Sequence, residues 1–264
     1  MRGFINKTPA KKTMSNSQTN LGFFSNFSIK ETKPVKINIP DLSAFWEKHL
    51  RKYPGSIADP KIQICGIKKE KNNLELTVAK GIDYRHVQHA LKKTKQATQN
   101  PLELYTWNTQ KTIGKTIGVN ALSVAGLVVC HEHVLFGIRD QVDLNRGTIS
   151  IINGYVDPEG PITKDHVLKE LAKELKEELG LVNEYTTRFI CASQSPASCD
   201  LLFLVHTIKP LQNVLVLQKT NELKNWQAVP FESLSTFLTQ NKLNPLIISI
   251  KAFLTSKNLR KYLP

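Results

Sequence analysis

Four glutamates stand close together in DHVLKELAKELKEELGLV, residues 165–182: Glu170, Glu174, Glu177 and Glu178. An α-helix turns about 100° per residue. With Glu174 at zero, Glu178 falls near about 40°, Glu177 near about 300° and Glu170 near about 320°. The four carboxylates therefore share one arc. Leu168, Leu171, Leu175 and Leu179 form the neighbouring apolar stripe, and Lys169, Lys173 and Lys176 lie on the far side. Like charges at i and i+4 repel by a few tenths of a kcal/mol, roughly 0.2–0.5 per pair. A divalent cation would relieve that repulsion, and magnesium prefers such oxygen ligands together with substrate phosphates. The plainer reading is a solvated face, because Glu170–Lys173 and Lys173–Glu177 are ordinary helical ion pairs.

These side chains need elements to position them. From Gly118 the pattern is VNALSVAGLVVC, a buried strand, then a turn at HEH, then the returning strand VLFGIRD. TISIING is a further strand that enters a loop rich in Gly, Pro and acids before the glutamate helix. TTRFICAS, DLLFLVHTI and LQNVLVLQK read as strands, NWQAVPFESLSTFL as a strand and a helix, and LNPLIISIKAFLTSKNL as one final amphipathic helix. Upstream, PDLSAFWEKHLRKYP reads as a short helix with Asp41 or Ser43 as cap, KIQICGIKKEKNNLELTVAKG as a hairpin, DYRHVQHALKKTK as a helix and residues 101–118 as a connector. Mixed strands and helices imply an α/β (α+β) class, with a central sheet covered on both faces.

The net charge of +14 is unevenly placed. Residues 1–115 carry 21 Lys and Arg against 8 Asp and Glu, whereas residues 116–264 carry 15 against 14. The basic half favours phosphate-bearing partners or is simply a lysine-rich surface. Three segments follow: a disordered basic tail over 1–35, a small α+β unit over 36–115 and a second unit over 116–264. The acid-poor tail leaves an organelle address open beside a cytoplasmic location. Cysteines 65, 130, 191 and 199 form no CxxC pair and read as reduced thiols, and no apolar run is long enough to span a membrane.

KELKEELGL at 173–181 is similar to the second half of the Nudix box, R-E-U-x-E-E-x-G-U with U aliphatic, departing only at Lys173. NGYVDPEG at 153–160 resembles the Gly-Gly-x-Val-Glu-Pro-Gly-Glu loop that precedes the Nudix helix, with Asn153 for the first Gly and Asp157 for the first Glu. Asp165 stands at the spacing of the box's upstream Glu, so that an Asp165–Lys173 pair would replace the usual Glu–Arg pair, and the loop before it is longer than the family's. The flanking segments agree, and the resemblance covers about residues 116–264. It implies a Nudix α/β/α sandwich with a mixed central sheet. It further implies hydrolysis of a nucleoside diphosphate joined to another moiety, with Glu174, Glu177 and Glu178 as catalytic and metal-binding residues for Mg2+ or Mn2+. Arg139, at the end of the first hairpin, would contact the substrate.

The N-terminal half resembles, more distantly, the front domain of Nudix enzymes that act on UDP-glucose and UDP-galactose, which adds Tyr84 and Arg85 as substrate-binding candidates. The Gly-Thr-Asn expected after them is absent. Alternatives are a Nudix enzyme for RNA ends, ADP-ribose or dinucleotides, and a Nudix fold that only binds. No RNA-binding motif or aromatic platform stands out, Trp46 reads as a core anchor, and His131-Glu132-His133 reads as an exposed turn.

Overall fold

A computed structural model describes residues 19–34, 37, 39–96, 119–140, 146–195, 197–216 and 222–263. The connector expected over 101–118 lies outside them. The strands are β1 (Thr19–Phe23), β2 (Asn26–Glu31), β3 (Pro60–Glu70), β4 (Asn73–Asp83), β5 (Ala121–Cys130), β6 (His133–Arg139), β7 (Ile149–Ser150), β8 (Ile152–Tyr155), β9 (Tyr185–Gln194), β10 (Ser198–Thr207) and β11 (Leu223–Pro230). The helices are α1 (Leu42–Lys52), α2 (Tyr84–Gln96), α3 (Lys164–Leu179), α4 (Leu211–Val216), α5 (Leu234–Gln240), α6 (Pro245–Ile250) and α7 (Ser256–Arg260).

The expected mixed-sheet α+β architecture is observed. The sheet runs β1-β9-β10-β5-β3-β4-β2, with β8 and β6 both on β5, and β7 and β11 on β6. Every residue of β5 is buried, as suits its unbroken apolar run. β10 lies parallel to it, from Ser198 opposite Ala121 to Thr207 opposite Cys130. The other edge of β5 is divided. Ser123 to Gly126 pair with β8, while Val129 and Cys130 pair with β6. β6 then leaves β5 for β7 and β11.

Two apolar layers enclose the sheet. On one face Leu171, Leu175 and Leu179 of α3 pack with Val124, Ile152, Leu201 and Phe203. On the other, Leu234, Leu238, Ile247 and Ile250 of the C-terminal helices cover Leu127, Phe136, Ile190 and Leu202.

Three readings of the sequence need correction. The tail read as disordered to residue 35 is ordered from Thr19: β1 pairs with β9, and β2 runs parallel to β4. Phe27 is fully buried, with its ring centroid 4.9 Å from Phe189 and 5.7 Å from Phe203. Composition missed it because a few aromatic anchors suffice when the neighbouring strands supply the hydrogen bonds. LQNVLVLQK contains helix α4 from Leu211 to Val216 instead of a strand. Val214 is buried in the core and Leu211 packs against it, so tertiary packing overrides β-branched propensity. The final amphipathic helix is two helices, because Thr255 caps a new start by accepting from the Asn258 amide at 3.2 Å.

Candidate functional site

Helix α3 has clear ends. The Thr163 hydroxyl accepts from the His166 amide at 3.2 Å, and Gly180 closes the C-terminus in the left-handed region at φ 63°. Its amide reaches the Lys176 carbonyl at 3.0 Å and that of Leu181 reaches Leu175 at 3.2 Å. With the leucine stripe buried, the glutamates take graded positions: Glu170 and Glu178 are buried, Glu174 is half-buried and Glu177 is exposed.

Close approach of α3 to the sheet depends on glycines. A Cβ at Gly126 of β5 would stand 3.4 Å from Leu171 Cδ1. At Gly154 of β8 it would stand 1.8 Å from Glu174 Oε1 and 2.2 Å from Cδ. The Glu174 carboxyl thus occupies the space that any other residue at 154 would fill. Burial pushes its pKa up to about 8, with Glu222, Glu177 and Glu178 adding repulsion and Lys173 opposing. Glu222 comes from just before β11, where Leu223 pairs with Arg139 and the Glu222 carbonyl accepts from the Asp140 amide at 2.9 Å. It is the one carboxylate of this group that the sequence reading did not select; only strand pairing brings it near α3.

Strand β8 is tied down from behind. Asn153 Nδ2 donates to Asp200 Oδ1 at 2.9 Å and to the Val124 carbonyl at 3.2 Å, and the Ser123 hydroxyl donates to the same Asp200 oxygen. Asn153, which departs from the resembled loop, thereby links β8 to β10 across β5.

Lys173 pairs with Asp157 at 2.8 Å and with Glu170 at 3.5 Å, not with Asp165 as the spacing suggested. Eight residues along a helix span about 12 Å, too far for Asp165 and Lys173 to meet. The lengthened loop instead folds Asp157 back over α3, where the His166 ring meets its carbonyl oxygen at 2.7 Å. The Asp157 carboxylate holds the Lys173 ammonium above its ordinary pKa, with Glu170 and Glu177 adding to it. The loop is also held from the N-terminal half. Glu31 accepts from the Ile162 amide at 3.0 Å, Lys80 donates to the Gly160 carbonyl at 2.8 Å, and Lys164 donates to Asn26 at 2.6 Å.

The substrate candidates separate. Arg139 Nε is buried, with no hydrogen-bond partner among the described residues. Its charge reaches the Tyr155 phenol, which burial holds well above its ordinary pKa with Tyr84 and Asp200 adding to the effect. The rings of Tyr84 and Tyr155 are 6.3 Å apart. Arg139 and Tyr84 therefore gather around Tyr155. Arg85 is engaged elsewhere, its Nη2 donating to Asp83 Oδ2 at 2.6 Å and its Nε to the same carboxylate.

Among the described residues, no three His, Cys, Asp or Glu side chains converge closely enough to hold an ion as they stand. The donor chemistry nevertheless fits a hard divalent cation: Glu174 lies in the repulsive field of three other carboxylates, and Glu177 is exposed. No helix among the described residues is long and apolar enough to cross a membrane.

No family model matches the chain, and no curated protein matches it. Among solved structures it is similar to a MutT protein from Methanosarcina mazei, at 17% identity over 54% of this chain and 95% of that one, TM-score 0.38. It is also similar to an ADP-ribose pyrophosphatase from Streptococcus suis, at 14% identity over 54% and 93%, TM-score 0.33. A third is the NUDIX domain of Shewanella oneidensis NrtR complexed with ADP ribose, at 14% identity over 51% and 88%, TM-score 0.36.

Proposed function

We propose that this protein is a divalent-metal-dependent hydrolase of the Nudix type, cleaving the pyrophosphate of a nucleoside diphosphate linked to another moiety. The observation that carries the reading is the Glu174 carboxyl seated on Gly154, its proton affinity raised by burial and by Glu222, Glu177 and Glu178. A structural helix face gains nothing from pressing a carboxylate into a strand glycine beside three others; a cation-binding site does. Glu174, Glu177 and Glu178 would hold the ion, with Glu222 as a further carboxylate within reach of their field. Mg2+ or Mn2+ suits the all-oxygen donor set.

Bound there, the ion would neutralise charge on the pyrophosphate and make water a better nucleophile. The protein's own groups do the rest. Gly154 and the buried Leu171 and Leu175 fix Glu174 in place. Arg139, whose Nε has no partner among the described residues, would meet a phosphate or a base, for which its planar fork is fitted. Tyr84 stands beside Tyr155 at the same end. The finer reading, a UDP-sugar giving UMP and sugar phosphate, rests on the resemblance of the N-terminal half alone.

A panel of UDP-sugars, ADP-ribose, NADH, dinucleoside polyphosphates and capped RNA, with Mg2+ and with EDTA, tests the proposal. At least one compound should turn over only with the metal, and Glu177→Gln/Glu178→Gln should lower the rate by on the order of a hundredfold or more. The lengthened loop and Lys173 in place of the box's arginine leave one competing reading, a Nudix fold that binds nucleotides without cleaving them. Binding without turnover across the panel would establish that reading instead.

A further inference from the structure

Strand β8 carries Gly154, the seat of Glu174, yet little in its own four residues fixes its register. Ile152 is its one buried residue. It pairs with β5, from Ile152 opposite Gly126 to Tyr155 opposite Ser123, and no strand among the described residues lies on its other edge. A short strand with a glycine and a single apolar anchor specifies its register weakly. A slip of one residue turns every side chain to the opposite face. It would bring Asn153 or Tyr155, each with a Cβ, to face α3 in place of Gly154. Glu174 could not then keep its place, since its Oε1 lies 1.8 Å from where a Cβ at that point would stand.

The face of β8 turned away from α3 supplies what the strand lacks. Asn153 stands opposite Ala125, and the small side chains of Ala125 and Ser123 leave room for its amide to cross β5. Beyond β5 it meets Asp200 of β10, which lies opposite Ser123. Asn153 Nδ2 donates to Asp200 Oδ1 at 2.9 Å and to the Val124 carbonyl at 3.2 Å, and the Ser123 hydroxyl donates to the same Asp200 oxygen. Asp200 is only 4% exposed and Ser123 1%. Burying a carboxyl group is costly, and an apolar residue would fill this layer more cheaply, as Leu202 does two positions along the same strand. What the carboxyl adds is direction: it can accept from Asn153 only when Asn153 stands opposite Ala125.

We infer that the Asp200–Asn153 hydrogen bond pins the register of β8 and thereby holds Glu174 in its working position. Asp200 and Asn153 are positioning residues, and they act on the reaction through Gly154 and the carboxyl seated on it. The role of Glu174 rests on the hydrolase reading proposed above; the register rests on the pairing of β8 alone. Residues that orient a metal-binding side chain from behind typically cost about 10–100-fold in metal affinity or activity when removed. The loss falls on the step that Glu174 serves, and leaves the substrate's own contacts at Arg139 in place.

The test uses the full chain and the variants Asn153→Ala, Asp200→Leu and Asp200→Asn, each checked for a cooperative melting transition. The first readout is hydrogen exchange at the Val156 amide, which donates to the Leu122 carbonyl at 3.1 Å and loses that acceptor when β8 slips. The others are Mn2+ affinity, from the paramagnetic signal of the free ion, and kcat and KM on the best substrate. Asn153→Ala and Asp200→Leu should each speed Val156 exchange about tenfold or more, weaken Mn2+ binding about tenfold and lower kcat about 10–100-fold with little change in KM. The two combined should cost little more than either alone, because both remove one bond. Asp200→Asn keeps an acceptor oxygen and should restore most of each value. Unchanged Val156 exchange in both Asn153→Ala and Asp200→Leu overturns the inference whatever the chemistry does. Faster exchange with parental Mn2+ affinity and kcat overturns the positioning role and leaves a bond that serves the fold only. A raised KM in Asn153→Ala alone makes Asn153 a substrate contact, which overturns it too. A parent that neither binds Mn2+ nor turns over any compound refutes the hydrolase reading instead, and Val156 exchange then decides the register by itself.

Discussion

Glu174 and Gly154 are matched: the carboxyl oxygen of the first lies 1.8 Å from where a Cβ on the second would stand. A side chain at 154 and the observed Glu174 rotamer are mutually exclusive. Gly154→Ala should therefore leave the sheet in place, at roughly 1–3 kcal/mol of overpacking, while displacing the carboxylate. Displacement of about 1 Å at a reacting group costs on the order of a hundredfold in rate. Melting curves beside turnover on the best substrate check this; a variant with parental activity would detach Glu174 from the chemistry.

The same crowding predicts a pH dependence of stability. The folded-state pKa of Glu174 is about 8, above the ordinary value of 4.5. Between those values the unfolded chain releases a proton that the folded one keeps, so the folded state loses stability as pH rises through that window. Metal-free protein should melt lower near pH 8.5 than near pH 5, and Glu174→Gln should reduce the difference. Other titrating groups shift both curves alike, so the diagnostic is the contrast between parent and variant. Identical pH profiles for the two would contradict the burial of this carboxyl.

A cation that binds only the folded state raises its stability by about 2.7 kcal/mol at a hundredfold excess over Kd. Mg2+ or Mn2+ should raise the melting temperature of the parent at alkaline pH and leave that of Glu177→Gln/Glu178→Gln nearly unchanged. The readout requires no substrate. If neither ion moves the parent's transition, these glutamates do not hold a divalent metal.

Lys173 and Asp157 form a half-exposed ion pair, which places its worth in the surface range of about 0.2–1 kcal/mol. A double-mutant cycle with Asp157→Asn and Lys173→Met should give a coupling of that size. The equivalent cycle with Asp165→Asn should give none. A measurable Asp165 coupling would restore the pairing suggested by linear spacing.

The ordered arm before residue 35 makes two quantitative demands. Phe27→Ala should cost about 3–5 kcal/mol, the range for a buried aromatic ring, whereas a ring in a disordered tail would cost nothing. Glu31→Ala should cost about 0.5–1.5 kcal/mol and speed hydrogen exchange at the Ile162 amide, which loses its acceptor. Unchanged exchange at Ile162 would show that the arm does not restrain the loop before α3.

By itself the sequence determined what recurs within an element. The 3.6-residue repeat of Leu171, Leu175 and Leu179 placed Glu174 and Glu178 on a common edge, and the unbroken ALSVAGLVVC run marked the central strand. Thr163 and Gly180 bound α3 through contacts made within a turn of each end. Tertiary structure decided whatever depends on two distant segments meeting. It seated Glu174 on Gly154, drew Glu222 toward it through the β6–β11 pairing, and gave Lys173 to Asp157. It also ordered β1 and β2 from an unpromising composition and placed Trp46 between His49 and Tyr84. Burial periodicity is written along the chain because neighbouring side chains share one face. The identity of the facing segment is not, because a carboxylate's proton affinity and a strand's hydrogen bonds are set by groups far along the chain, as Thr19 opposite Gln194 shows.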